Sequence, residues 1–224
     1  MNNIFAEKDV QMPRTIISAS ILNADLSDLR ETAAKVKESG ADWLHFDVMD
    51  GEFVDNITFG SPVLEAIKPY SDMFLDVHLM VIEPLRQIKL FAEAGADMIT
   101  FHSETGCDME ECINEIHSAG LKAGIAIKPE TPVSDIAGVI GNAAMVLVMT
   151  FEPGYGGQGL IPSTLGKIRQ IREAYPDKYI EVDGGINADT SGLVTEAGAN
   201  VLVAGTFLFR ADDMKAAVAQ LRGL

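Results

Sequence analysis

Two imidazoles, two carboxylates and three glycine clusters are the parts of this sequence whose types and spacing suit chemistry. His45 and Asp47 stand two apart in LHFDVMDG, His78 and Met80 two apart in DVHLMV, and Asp183 ends the run IEVD. In an extended chain residues two apart share a face, so His45 and Asp47 point one way and Phe46 the other. His45, Asp47, His78 and Asp183 together make a nitrogen and oxygen donor set suited to Zn²⁺, Mn²⁺, Fe²⁺ or Co²⁺, with coordination positions left for substrate oxygens. The residue types do not choose among these ions. Each of the four taken singly could be a hydrogen-bonded polar group capping a strand; their convergence favours a site. His102 is left outside the set because its neighbour Glu104 could simply hydrogen-bond it, and His117 reads as an ordinary helix residue.

The glycine clusters are PGYGGQ at Pro153 to Gln158, DGGI at Asp183 to Ile186 and AGT at Ala204 to Thr206. A lone glycine pair is usually a tight turn. Three such loops, each after an apolar β-type run, suit a phosphate held by backbone N–H groups, with a helix dipole adding to the attraction.

These residues need elements to hold them at one end of a common scaffold. A pentad recurs as ESGAD at Glu38, EAGAD at Glu93 and EAGAN at Glu196, each followed by an apolar strand-like run. Its glycine is placed to close a helix in the left-handed conformation. The pentads lie 55 and 103 residues apart, about two and four βα units of roughly 25 to 30 residues each, so they should close helices one, three and seven of eight. Strands are expected at Thr15 to Ser20, Trp43 to Val48, Phe74 to Met80, Met98 to His102, Ala123 to Ile127, Met145 to Thr150, Tyr179 to Asp183 and Val201 to Ala204, with helical patterns between every neighbouring pair. Strict alternation implies a parallel sheet, and eight units without a long insertion favour a closed (β/α)₈ TIM barrel over an open flavodoxin-like sheet. In such a barrel the active site lies at the C-terminal strand ends, where the four ligand candidates fall. Residues 1–224 are read as one barrel domain, with 1–14 a loose N-terminal arm.

The bulk properties agree. The 224 residues, 47% hydrophobic, suffice for one full-size α/β barrel core. A formal charge of −16 argues against nucleic acid and anionic membrane as partners, yet leaves room for a phosphate gripped by backbone amides. No segment has the roughly 20 apolar residues of a membrane span and the N-terminus lacks a secretory signal pattern, so a cytoplasmic location is expected. Cys107 and Cys112 fit neither a zinc ribbon nor a redox motif and read as reduced thiols.

Taken in order, SASILNADL, LHFDVMDGEFVDNITFG, DVHLMV, MTFEPGYGGQ and IEVDGGI resemble the ribulose-phosphate 3-epimerase family from about Ser18 to the C-terminus. The resemblance implies a barrel of the ribulose-phosphate-binding type and the interconversion of D-ribulose 5-phosphate and D-xylulose 5-phosphate in the pentose phosphate pathway. It carries over His45, Asp47, His78 and Asp183 as ligands of one divalent metal ion, Zn²⁺ first among the candidates, and Asp47 and Asp183 as the catalytic acid/base pair. It makes Ser20, His78 and Asp183 substrate contacts, with Met49, Met80 and Met149 around the reacting carbons. Gly154, Tyr155, Gly156, Gly157, Gly184, Gly185, Gly205 and Thr206 match the family's phosphate and substrate loops. The expected partners are a small phosphorylated ketose and further copies of the chain in a homo-oligomer. The chemistry suits the residue types: inversion at a carbon beside a ketone needs one group to remove a proton from one face and another to return one to the opposite face, while methionines exclude water without donating protons.

Three positions depart from the family's pattern. Glu52 stands where the family usually has histidine and Asp55 where it has proline, adding negative charge after the second strand; Phe207 replaces a small residue beside the phosphate loop. These bear on substrate choice more than on reaction type. The alternatives are a 3-epimerase of a ketohexose 6-phosphate such as D-allulose 6-phosphate, a Schiff-base aldolase using Lys128, and a non-catalytic phosphate-binding barrel.

Overall fold

The computed structural model describes residues 14–224. The expected arm therefore falls, but for Arg14, outside the described residues. The first half of the chain runs β1 (Ile16–Ser20), α1 (Leu29–Ser39), β2 (Trp43–Met49), α2 (Ser61–Ile67), β3 (Phe74–Met80), α3 (Pro84–Glu93), β4 (Met98–His102) and α4 (Met109–Ser118). The second half runs β5 (Lys122–Ile127), β6 (Met145–Met149), α5 (Thr164–Ala174), β7 (Tyr179–Asp183), α6 (Ser191–Ala197), β8 (Val201–Ala204), α7 (Thr206–Phe209) and α8 (Met214–Leu221). Each strand pairs in parallel with the next, and β8 returns to β1 with Ser18 opposite Val203, closing the barrel.

All eight strands lie within one residue of the expected bounds at each end. The pentad glycines do end helices: Gly40 caps α1 at φ 81°, Gly95 follows the α3 cap at φ 100° and Gly198 caps α6 at φ 116°, a backbone that costs a residue with a Cβ roughly 1–2 kcal/mol. The expectation of a helix between every strand pair needs one correction. Between β5 and β6 there is only a 3₁₀ turn, Val133–Ile136. Pro129 and Pro132 deny the backbone two N–H donors and bias the preceding residues away from helix, and Gly138 and Gly141 lower the helix propensity of the stretch leading into β6.

Strand alternation divides the core in two. One set of residues, including Phe46, Val77 and Phe101, points outward and packs under the helices with Ile88 and Phe91 of α3 and Ile113 and Ile116 of α4. Truncating a fully buried phenylalanine such as Phe91 to alanine would cost about 3–5 kcal/mol. The other set points into the barrel. Its floor is Trp43, Met98, Met145 and Val201, one from each even strand, with Phe74 tilted and Tyr179 edge-on against Trp43 at ring distances of 4.5 and 5.8 Å. Four-residue layers from alternate strands are how such barrels fill. Above this apolar plug the inward residues become polar: Ser18, His45, Asp76 and Glu181, then Ser20, Asp47, His78, His102 and Asp183.

Candidate active site

The site begins with the register of β2 on β3, which sets His45 opposite Asp76 and Asp47 opposite His78. Asp47 Oδ1 thereby lies between both rings, 3.2 Å from His45 Nε2 and 3.3 Å from His78 Nδ1. Its second oxygen, Oδ2, accepts a 2.6 Å hydrogen bond from the Ser20 hydroxyl of β1. Asp183 arrives from β7, its Oδ2 3.8 Å from His78 Nδ1. One donor atom from each of His45, Asp47, His78 and Asp183 lies within 4.8 Å of the others. The donor chemistry fits a divalent cation: the two imidazole nitrogens turned toward the carboxylates each have the ring's other nitrogen already engaged. His45 Nδ1 is 2.7 Å from Asp76 Oδ2, and His78 Nε2 is 2.9 Å from His102 Nε2. Such outer contacts are what orient ligand imidazoles.

Charge is balanced locally by these contacts. Burial opposes ionisation of Asp47, but the His45 charge and hydrogen bond, with His78, hold its carboxyl far below the usual range. Asp183 goes the other way, pushed up to about 8 by burial and then by the Asp47 charge. Burial disfavours a charged His45 ring, yet Asp47 and Asp76 outweigh it and raise its pKa, whereas burial lowers that of His78. Deeper still, Glu181 Oε1 is 3.8 Å from His45 Nδ1. Burial and then the neighbouring Asp76 carboxylate push the Glu181 pKa well up, so it is held neutral. Neither Glu181 oxygen finds a partner among the described residues that satisfies hydrogen-bond geometry.

Over this cluster opens a cavity of about 290 Å³. Ser20, Asp47 and Asp183 form its base, and Met49, Met80 and Met149 its inner wall, each almost wholly buried. Its mouth is made by Gly154, Tyr155, Gly156 and Gly157 after β6, Gly184 and Gly185 after β7, and Gly205 and Thr206 after β8. Every site residue expected from the sequence therefore lines one cavity, except His45 and His78, which lie fully buried beneath it. The loop after β2 clasps the loop after β6: Asn56 Nδ2 donates to the Gly154 carbonyl at 3.1 Å and the Tyr155 hydroxyl to the Asp55 carbonyl at 3.2 Å. Asp55 thus makes its contact through backbone, which any residue there supplies. Phe207 does line the cavity, and Glu52 does not.

Several residues in and around the site are not among the expected site residues, although most stand within the quoted motifs. Asn23 lines the mouth and accepts from the Thr206 hydroxyl at 3.2 Å. Phe151, Ile186 and Asn187 also contribute. Asp76 and Glu181 could have been found by the alternation that marked His45 and Asp47, since they sit two residues before His78 and Asp183. His102 does hydrogen-bond Glu104, at 3.0 Å, and His117 lies in α4. Lys128 is absent from the cavity lining; its ammonium lies 4.0 Å from the centre of the Phe53 ring. Cys107 and Cys112 are free thiols with sulfurs 3.2 Å apart. Among the described residues no helix is long and apolar enough to cross a membrane.

Comparison with known proteins places this arrangement. Residues 16–209 match the family model described as the ribulose-phosphate 3 epimerase family. A ribulose-phosphate 3-epimerase of Bacillus subtilis (strain 168) is 45% identical over 212 residues, covering 92% of this chain and 98% of its own. One from Synechocystis sp. (strain ATCC 27184 / PCC 6803 / Kazusa) is 42% identical over 213 residues, covering 92% and 93%. Among solved structures, a 3-hexulose-6-phosphate synthase from Salmonella typhimurium superposes with a TM-score of 0.70 at 17% identity, covering 93% of this chain and 97% of that one, a likeness of fold alone. With a family match across nearly the whole barrel and relatives above 40% identity, the chain belongs to the ribulose-phosphate 3-epimerase family.

Proposed function

We propose that this protein interconverts D-ribulose 5-phosphate and D-xylulose 5-phosphate by inverting carbon 3, with Asp47 and Asp183 as its acid/base pair. The observation that carries the reading is the meeting of His45, Asp47, His78 and Asp183 at the base of a cavity whose mouth is glycine loop. The phosphate is held at that mouth by backbone N–H groups of the loops after β6, β7 and β8, which explains how so acidic a chain takes an anionic substrate. The ketose then extends inward, its reacting carbons between the carboxylates and the three methionines.

His45, Asp47, His78 and Asp183 would hold one divalent cation, with Zn²⁺ first among the candidates that the family resemblance brings. When bound, that ion supplies Lewis-acid stabilisation of the negative charge that develops on the substrate oxygens. The side chains do the rest. Asp47, on β2 and fixed by Ser20, takes the carbon 3 proton from one face, and Asp183, on β7, returns one drawn from solvent to the other. Asp47 then gives its proton up to solvent, and in the reverse reaction the roles exchange, so protons balance over each turnover. The methionine wall keeps water from the planar intermediate. The cytoplasm and a homo-oligomer belong to the same reading.

Turnover in D₂O tests the mechanism. With separate carboxylates for the two faces, product collected before back-reaction should carry solvent deuterium at carbon 3, and Asp47→Asn or Asp183→Asn should abolish inversion. Product retaining the substrate's own hydrogen would mean one base serving both faces. A coupled assay should also show higher kcat/KM for ribulose 5-phosphate than for allulose 6-phosphate.

A further inference from the structure

A file of hydrogen bonds runs from His78, away from the carboxylate cluster, to the loop after β5. His78 Nε2 meets His102 Nε2 at 2.9 Å, and His102 Nδ1 meets Glu104 Oε2 at 3.0 Å. Glu104 Oε1 accepts from the Lys128 backbone N–H at 2.6 Å and from the Thr131 hydroxyl at 2.5 Å. Both rings are fully buried and Glu104 is partly so. Two neutral rings joined through one nitrogen each share a single hydrogen at that contact, so the ends of the file decide which ring carries it.

The Glu104 end decides it. An ionised carboxylate only accepts, so His102 must carry its hydrogen on Nδ1. His102 Nε2 is then an acceptor, and His78 must donate from Nε2. That leaves the lone pair of His78 on Nδ1, the nitrogen 3.3 Å from Asp47 Oδ1 and 3.8 Å from Asp183 Oδ2. The protonation state of Glu104 agrees: burial alone would raise its pKa, but His102, the Lys128 amide and Thr131 bring it down to about 2.

We propose that Glu104 is a positioning residue for the metal centre, fixing through His102 the tautomer of His78 that presents Nδ1 to a divalent cation. The proposal rests on the reading of His78 as a ligand.

Glu104→Gln gives the inference an unusual signature. The Lys128 amide is fixed in the backbone and requires an acceptor, so the glutamine oxygen must take that side and its NH₂ must face His102 Nδ1. His102 then accepts at Nδ1 and carries its hydrogen on Nε2. With a cation on His78 Nδ1, two N–H groups would confront each other across the 2.9 Å contact. Glu104→Ala imposes no tautomer, so the near-isosteric variant should be the more damaging one.

The experiment measures Zn²⁺ affinity by chelator competition in the full chain, alongside ¹⁵N NMR of the histidine rings in the Zn²⁺-loaded protein. The native protein should show His102 protonated at Nδ1. Glu104→Gln should move that hydrogen to Nε2 and weaken Zn²⁺ binding about 10- to 100-fold, with Glu104→Ala weakened less. The proposal is overturned by an Nε2-protonated His102 in the native protein, which needs no variant to fold. Native Zn²⁺ affinity in Glu104→Gln also overturns it, as does a larger loss in Glu104→Ala, which would mark a purely structural loop role. His78→Ala separates the two levels: if it binds Zn²⁺ normally the ligand reading has failed, and if it loses Zn²⁺ while Glu104→Gln does not, only the positioning role has.

Discussion

Gly185→Ala probes the loop that the proposed function assigns to phosphate. Gly185 sits at φ +65°, and a Cβ built there lies 2.6 Å from Leu160 N, 3.0 Å from the Gln158 carbonyl oxygen and 3.1 Å from Gly159 C. All three are backbone atoms, so no side-chain rotation relieves the overlap. The segment 158–160 must retreat by roughly 0.8 Å to regain ordinary contact, and the left-handed backbone adds roughly 1–2 kcal/mol of strain. That segment directly follows the Gly154 to Gly157 loop at the cavity mouth. Misaligning even one charge-assisted hydrogen bond to phosphate costs about 1.5–3 kcal/mol, which raises KM roughly 10- to 100-fold. The turnover number should change less, because three of the four proposed ligands stand on β2 and β3. Gly159→Ala is the internal control: its Cβ would meet nothing within 4 Å and its φ is not positive, so it should behave as the native protein. Steady-state kinetics with ribulose 5-phosphate, together with competitive inhibition by inorganic phosphate, reads both variants. A folded Gly185→Ala protein with KM and phosphate inhibition within about twofold of native would refute the loop's role, since about 0.4 kcal/mol is all that such a ratio represents.

Three further outcomes are expected. Ser20→Ala strips the 2.6 Å donor from buried Asp47 Oδ2; losing a hydrogen bond to a charged group costs about 1.5–3 kcal/mol, so kcat/KM should fall at least about tenfold, and unchanged kinetics would exclude Ser20 from the machinery. A cation entering the cluster must displace a proton from His45, whose pKa is raised, and one from Asp183, held at about 8. Affinity must therefore rise with pH, by at least about tenfold per unit well below pH 8, where Asp183 keeps its proton, and less steeply above it; calorimetric titration of Zn²⁺ in buffers of different ionisation enthalpy counts the protons, and a pH-independent affinity would contradict the electrostatics. Asp108→Ala removes the carboxylate that accepts the Glu110 and Glu111 amides at 3.0 and 3.1 Å at the start of α4. It should cost about 1 kcal/mol, a fall in Tm of about 2–4 °C, with kcat/KM unchanged; a loss of activity would couple α4 to the site.

The sequence by itself determined whatever local stereochemistry encodes. Alternation marks His45 and Asp47, or His78 and Met80, as partners on one face because successive side chains of a strand must diverge. The pentads mark helix ends because glycine alone occupies the left-handed cap without strain. From these came eight strands in nearly their observed places, a parallel order, and a set of polar residues at strand ends. Pro129 and Pro132 carry the local signal for the absence of a helix between β5 and β6, a signal that the regular spacing of the modules does not contain. The tertiary structure decided which side chains meet. Asp47 faces His78 because β2 and β3 pair in that register, and Asp183 reaches both only because β7 closes round through β8 and β1. His102, whose nearby Glu104 hides its role in the sequence, acquires its contact with His78 through β3 and β4, and Glu104 gains Lys128 from the end of β5. Asp76 and Glu181 come together on the same terms, from strands about a hundred residues apart. The face a residue takes follows from its own backbone, whereas its partner follows from strand register and barrel closure, which are set by the packing of the whole chain.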